Sequence, residues 1–159
     1  MTDTLSDLIA SKIQQVRESY HRLVLLVAPS GSGKTAILRD VSAKTGTPLV
    51  NLNLELSQGM LELTKRQRIL QFPRLLDGIV KNAPGDVVLL DNTEIIFDTS
   101  LKQDPLRSLQ RVSRNKTIFA SWNGLIEGDY LVHAVPGHPE YRSYTARELV
   151  IVPAYKKET

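Results

Sequence analysis

The chain contains no cysteine among its 159 residues. Disulfides, thiolate nucleophiles and cysteine zinc sites are therefore excluded, and the absence fits a cytoplasmic protein. The 3 histidines do not have the spacing of metal ligands, so we expect no zinc site.

Long apolar runs are also missing. The longest, Leu23–Ala28, is far too short to span a bilayer, and the polar segment Met1–Asp7 does not resemble a signal peptide. We therefore expect no membrane contact. An excess of one charge sign is nearly absent too, since the formal net charge is only +3 and the basic residues are scattered. This balance leaves DNA contact open without predicting it.

The most specific pattern present is Ala28-Pro29-Ser30-Gly31-Ser32-Gly33-Lys34-Thr35, between an apolar strand-like run and a helix-compatible run. This is the P-loop arrangement, in which small residues let backbone N–H groups close around a phosphate and the following helix adds its positive end. We expect Lys34 to contact the β- and γ-phosphates. Ala28 replaces the first glycine of the strict pattern, a mild change because the position needs a small residue. The predicted nucleotide site comprises Ser30, Gly31, Ser32, Gly33, Lys34, Thr35 and Ala36.

A second pattern, Val87-Val88-Leu89-Leu90-Asp91, has the Walker B form, with a carboxylate at the end of a buried strand. We predict that Asp91 and the Thr35 hydroxyl hold Mg²⁺. A catalytic carboxylate often follows this Asp, but here the next residue is Asn92, which can orient the attacking water but cannot accept its proton at neutral pH. Glu94 is either the residue that activates water or a solvated loop carboxylate. Hydrolysis is therefore expected to be slow or dependent on a partner.

Three further groups have two interpretations each. Asn123 ends a strand, where it contacts the γ-phosphate or the attacking water, or else starts an Asn-Gly turn. Arg142 or Arg147 acts as an arginine finger in a neighbouring subunit of a homo-oligomer, or is an ordinary surface arginine. Two helices carry basic residues that either contact nucleic acid or an acidic partner, or are simply solvated. The first set is Arg107, Arg111 and Arg114, and the second is Lys65, Arg66 and Arg68 on the long helix.

Strands that alternate with helices predict an α/β fold, a three-layer P-loop NTPase core with a mainly parallel five-stranded sheet flanked by helices. We expect an amphipathic helix in residues 1–21 packed on a core domain of residues 22–153, and a charged tail in residues 154–159. Local patterns also predict a half-buried strand over Leu49–Leu56, a helical stretch over Leu61–Asn82 interrupted at Pro73, a helix from Pro105 through Arg114 and a hairpin around Glu127-Gly128-Asp129. Ligands bind such sheets beyond the carboxyl ends of the strands, where the P-loop, Asp91 and Asn123 all fall.

The order of P-loop, second strand, Walker B strand and strand ending in Asn resembles the core of the AAA+ ATPase group over roughly Leu23–Pro153. This resemblance implies an NTP-binding domain with ATP as the default nucleotide, although GTP stays open. The chain departs from the group at Asn92, and we expect no helical lid domain after Val152.

More narrowly, the chain resembles the BrxF family, the small P-loop proteins of BREX bacteriophage-exclusion systems. The segments that carry this resemblance include Asn51–Leu56, Gln103–Leu106, Ser121–Gly124 and Pro136–Tyr141. It implies a cytoplasmic nucleotide-binding component of antiviral defence with other BREX proteins as partners. Beside a weak or partner-stimulated ATPase, two alternatives stay open: a nucleotide-gated interaction module with negligible hydrolysis, and a small-molecule or nucleoside kinase.

Overall fold

The structure, a computed structural model, describes residues 2–155, with side chains from Leu5 onward. The helices are α1 (Thr2–Gln15), α2 (Lys34–Thr45), α3 (Leu52–Met60), α4 (Lys65–Asn82) and α5 (Pro105–Val112), with short 3₁₀ helices at Thr93–Phe97 and Thr99–Leu101. The strands are β1 (Leu23–Ala28), β2 (Leu49–Asn51), β3 (Val87–Asp91), β4 (Thr117–Asn123), β5 (Leu125–Glu127), β6 (Tyr130–His133), β7 (Arg142–Thr145) and β8 (Val150–Pro153).

Five strands form the main sheet in the order β2-β3-β4-β1-β8, and every neighbouring pair is parallel. The central strands β3, β4 and β1 are largely apolar and almost entirely buried, because a parallel sheet is covered on both faces. The predicted α/β class and mainly parallel five-stranded sheet are confirmed. Among the described residues, no helical lid domain follows β8.

Helices cover the two faces of this sheet in separate apolar clusters. On one face, Ile9 and Val16 from the N-terminal region pack with Leu38 and Val41 of α2. On the other face, α3, α4 and α5 contribute buried residues such as Leu56, Phe72 and Leu109. Because all five strands are parallel between these two layers, their carboxyl ends meet at one edge of the sheet. Among residues 2–155, no helix combines the length and apolar character needed to cross a membrane.

The predicted strand over Leu49–Leu56 is wrong beyond Asn51, where the chain turns into α3. The Asn51 side chain caps this helix by accepting a hydrogen bond from the Leu54 N–H at 3.1 Å. Leu52 and Leu56 are buried, as either a strand or a helix would require, whereas Leu54 is 51% exposed. The segment after Asn51 is therefore a helix. The Asn51 cap stabilises its first turn, and the helical spacing buries Leu52 and Leu56 on one face.

The predicted interruption at Pro73 is also wrong, because α4 continues through it from Lys65 to Asn82. A proline removes the N–H that would bond to the carbonyl four residues earlier, here that of Ile69. The Gln103 side chain donates to this carbonyl at 3.4 Å, and Arg111 donates to the Pro73 carbonyl at 3.2 Å. Contacts from outside the helix, together with the buried Phe72, thus hold the helix continuous.

A second sheet of three antiparallel strands, β5-β6-β7, lies in the connection between β4 and β8. Its first two strands form the predicted hairpin, with Glu127 paired to Tyr130. The Trp122 indole N–H, at the end of β4, donates to the Val132 carbonyl at 3.2 Å and joins the two sheets. Tyr144 donates to the Asp104 carboxylate at 3.0 Å, and burial together with that carboxylate raises the pKa of Tyr144, so the phenol stays a donor.

The sequence predicts a charged tail over residues 154–159. The Ala154 N–H donates to the Val27 carbonyl at 2.8 Å, and the Tyr155 hydroxyl accepts from the Ile126 N–H at 2.8 Å. These two residues therefore contact the domain. Residues 156–159 lie outside the described part of the chain.

Candidate nucleotide-binding site

The strand register brings the predicted site to one edge of the main sheet. Ala28 at the end of β1 lies opposite Asn123 at the end of β4, and Asn51 lies opposite Asp91. A cavity opens at this edge, and its lining residues come from the P-loop and from the ends of β3 and β4: Ser30, Gly31, Gly33, Lys34, Thr35, Asp91, Asn92, Glu94, Ser121 and Asn123.

The loop from Ala28 to Gly33 is built for close backbone approach. Gly31 and Gly33 have φ angles of 79° and 90°, in the left-handed region that glycine adopts without strain. Ala28 is fully buried as the last residue of β1, so its methyl group is compatible with this position. Helix α2 begins at Lys34, and the N–H groups of its first turn have no acceptor within the helix. The loop therefore directs a helix N-terminus toward the cavity.

Lys34 is 7% exposed and folds back over the loop. Its ammonium group donates to the Ala28 carbonyl at 3.0 Å and to the Pro29 carbonyl at 2.8 Å. Burial lowers the pKa of Lys34, while the negative charges of Glu94 and Asp91 act in the opposite direction. A buried cation whose partners include two neutral carbonyls is well suited to an anionic ligand, because phosphate oxygens would complete its charge pairing.

The Thr35 hydroxyl donates to a carboxylate oxygen of Asp91 at 2.7 Å. This bond joins the P-loop helix to the Walker B strand across 56 positions of sequence. It places a hydroxyl oxygen and a carboxylate oxygen together, and hard oxygen ligands of this kind are those that Mg²⁺ prefers. The two side chains predicted to hold the metal thus fit it.

Asn92 adopts a left-handed conformation with φ of 54° and ψ of 50°, which few residues other than glycine and asparagine tolerate. The resulting turn points Thr93 inward, where its hydroxyl donates to the Ser121 carbonyl at 2.6 Å. It also leaves Glu94 exposed at the cavity wall. Asn92 and Glu94 are therefore both near the predicted phosphate position, and their catalytic roles stay predictions.

Asn123 lines the same cavity, and Gly124 donates its N–H to the Ala28 carbonyl at 3.1 Å. Both earlier interpretations of this dipeptide thus have a structural counterpart, because the Asn faces the cavity and the Gly starts the turn into the small sheet. Ser121 also lines the cavity, and sequence reasoning missed it. The available signal was its place two residues before Asn123, since alternate residues of a strand point to the same side.

The remaining predicted residues lie elsewhere. Ser32 and Ala36 are exposed beside the cavity without lining it. Arg142 begins β7 and donates to the Gln103 carbonyl at 3.2 Å, so within this chain it is not part of the cavity. Arg147 is exposed.

The three arginines assigned to one helix face have separate partners. Helix α5 ends at Val112, so Arg114 lies beyond it and stacks over the Tyr20 ring at 4.3 Å. Arg111 is 3.2 Å from the Asp77 carboxylate, and Arg107 is 3.7 Å from that of Asp104. The expected continuation of this helix to Arg114 is wrong, and the three side chains do not form one continuous helix face.

Comparison with known proteins agrees with this geometry. Residues 24–120 match the ATPase family associated with various cellular activities, abbreviated AAA. The match covers more than half of the chain, so the chain belongs to this family of P-loop ATPase domains, and nucleotide binding of the ATPase type follows from that membership.

Two solved structures are similar to the chain. C. elegans PCH-2 shares 15% identity over 99% of this chain and 43% of its own, with a TM-score of 0.48. AMPPCP-bound DnaA from Aquifex aeolicus shares 15% identity over 94% of this chain and 44% of its own, with a TM-score of 0.47. The chain thus spans less than half the length of either structure. No curated protein matches its sequence.

Proposed function

We propose that this chain binds Mg-ATP as a nucleotide-dependent component of a BREX bacteriophage-exclusion system and hydrolyses ATP slowly or only with a partner. The observation that carries the nucleotide part is the 2.7 Å bond between Thr35 and Asp91, beside a Lys34 ammonium at the mouth of a glycine loop. The Lys34 charge, the two candidate Mg²⁺ ligands and the backbone N–H groups of the loop thus lie around one cavity.

In this proposal, loop N–H groups and Lys34 bind the phosphates, while Thr35 and Asp91 hold Mg²⁺. The bound metal would neutralise phosphate charge. Asn123 and Ser121 face the same cavity and supply polar contacts on the side of β4. ATP is the expected nucleotide, and competition between ATP and GTP in one binding assay would decide the base.

One observation favours a second function, a nucleotide-gated interaction module. The residue after Asp91 is Asn92, which holds a left-handed turn and carries no carboxylate. The nearest alternative base, Glu94, is exposed. Phosphate release measured with and without candidate partner proteins separates the two functions. Release that stays at background with every partner favours the gated module.

The nucleotide assignment is tested by Lys34→Ala. Because this variant removes the only lysine of the loop, we expect ATP affinity to fall roughly 100-fold or more in titration calorimetry, the effect of losing two or more charge-assisted contacts. Lys81→Ala is the matched control, since Lys81 is exposed near the end of α4. Unchanged ATP affinity in the Lys34 variant, with normal folding, contradicts the assignment.

The defence role is supported by the sequence resemblance to BrxF proteins and is tested in cells. A bacterium carrying a complete BREX system should lose protection against phage, measured as plating efficiency, when its BrxF protein is replaced by the Lys34→Ala form of this chain. The wild-type chain should retain protection. Equal protection by both forms would show that the defence role does not require nucleotide binding by this chain, which contradicts the proposal.

Self-association is a further part of the proposal. If Arg142 or Arg147 acts as a finger in a neighbouring copy, an ATP analogue with Mg²⁺ should promote oligomers in analytical ultracentrifugation. A monomer under both conditions contradicts this role.

A further inference from the structure

His133 lies at the end of β6, outside the residues so far assigned to the nucleotide site, and is 8% exposed. One ring nitrogen, Nδ1, is 2.5 Å from the Asn123 carbonyl oxygen. A carbonyl only accepts, so Nδ1 carries a proton and donates in this contact. The other nitrogen, Nε2, is 3.6 Å from the Glu140 carboxylate.

The same imidazole stacks on Phe97, with ring centroids 3.7 Å apart and planes 21° from parallel. Phe97 is the last residue of the 3₁₀ helix that begins after Asn92 and contains Glu94. One side chain of the small sheet therefore touches both segments that carry the candidate water-placing residues: the end of β4, with Asn123, and the turn after β3.

The peptide group between Asn123 and Gly124 is held from both sides. Its carbonyl accepts from His133, and its N–H donates to the Ala28 carbonyl at 3.1 Å. That Ala28 carbonyl also accepts from the Lys34 ammonium. Because a peptide group is planar, fixing its two polar ends fixes its orientation. The pairing of β4 with β1 holds the backbone before Asn123, so the direction in which the Asn123 side chain leaves the backbone is fixed from both sides.

We propose that His133 is a positioning residue for recognition of the terminal phosphate of a nucleoside triphosphate, acting through Asn123. The proposal rests on the nucleotide-binding function above and extends the site to the small antiparallel sheet. Without the Nδ1 donor, the 123–124 peptide loses one of its two anchors, and the backbone no longer holds Asn123 in one orientation at the cavity wall. Contacts to the other phosphates come from the P-loop and do not involve His133.

The test compares the affinities of Mg-ADP and of a non-hydrolysable ATP analogue with Mg²⁺ by calorimetry, so that no turnover is needed. Wild type is expected to bind the analogue more tightly than ADP. Asn123→Ala and His133→Leu should each lower this preference roughly tenfold, with ADP affinity changed less than about twofold. The double variant should lose no more than either single variant, because both remove the same contact.

Two further variants separate positioning from simple loss of packing. His133→Asn should restore the preference, because its amide nitrogen takes the place of Nδ1 as donor. His21→Leu applies the same substitution to a histidine outside the cavity and should leave the preference unchanged. Thermal unfolding verifies that each variant is folded.

The outcomes are distinguishable. A preference unchanged in His133→Leu, or a His133→Asn variant as impaired as His133→Leu, overturns the role of His133 alone. Equal affinity of wild type for the two nucleotides also overturns it, since no discrimination would then depend on Asn123. A wild-type chain that binds neither nucleotide overturns the proposed function itself.

Discussion

The two sheets of this protein contrast in burial and in readability from sequence. In the parallel sheet, all six residues of β1 are buried, and the strand is a continuous apolar run. In the antiparallel sheet, β7 has no fully buried residue among its four. Yet both sheets reach the candidate site, the first through the P-loop, Asp91 and Asn123, the second through His133. His133 belongs to β6, where three of the four residues are buried, so the antiparallel sheet meets the site through its one well-buried strand.

The largest expected effect concerns the joint between the sheets. An alanine at Gly124 would place its Cβ 1.8 Å from the Val132 carbonyl oxygen and 2.9 Å from the Trp122 indole nitrogen. Because one of these atoms is backbone, the small sheet must move, and we expect Gly124→Ala to lower the free energy of unfolding by about 3 kcal/mol in urea denaturation.

Gly78→Ala is the control for that substitution. No atom outside its own helix lies within 4 Å of the added Cβ in α4, so we expect a gain of about 0.5 kcal/mol from helix propensity. A Gly124→Ala variant as stable as wild type would mean that the two sheets are not closely packed.

The second prediction concerns the parallel sheet. Thr93→Val keeps the shape of a 2%-exposed side chain but removes its hydrogen bond to the Ser121 carbonyl. We expect a loss of about 1–2 kcal/mol in the free energy of unfolding, because a buried acceptor loses a donor. Thr99→Val, at an exposed position, should change it by less than about 0.5 kcal/mol. Equal effects of the two variants would contradict a structural role for this bond.

The smallest expected effect concerns the turn after β3. Asn92→Ala places a side chain without asparagine's tolerance at φ 54°, and we expect a loss of about 1 kcal/mol in the free energy of unfolding. Asn92→Gly should be close to neutral, since glycine adopts this conformation freely. A loss in the glycine variant as large as in the alanine variant would show that the Asn92 side chain, and not the backbone angle, stabilises the turn.

Patterns with a fixed local spacing were readable from the sequence. The P-loop, the Walker B strand and the parallel sheet follow from glycine spacing and apolar runs, whose physical basis is local. Segments that satisfy two periods were not readable. Leu52 and Leu56 lie on one face in either a strand or a helix. A strand would also bury Leu54, and only the packed structure shows that Leu54 is exposed and that the segment is helical.

Residues that act through distant partners were also missed. Ser121 and His133 have no motif of their own, and their relevance depends on which strands lie side by side. The continuity of α4 at Pro73 likewise depends on Gln103, whose side chain comes from a separate segment.

The sequence alone therefore determined the chemistry: a glycine loop with Lys34 and Thr35, and a carboxylate at the end of a buried strand. The tertiary structure decided the geometry. The parallel register brought Ala28 opposite Asn123, and packing joined Thr35 to Asp91 and His133 to the end of β4. The reason is physical, because local patterns set the conformation of a few residues, whereas contacts between distant segments form only when burial of the two apolar clusters brings them together.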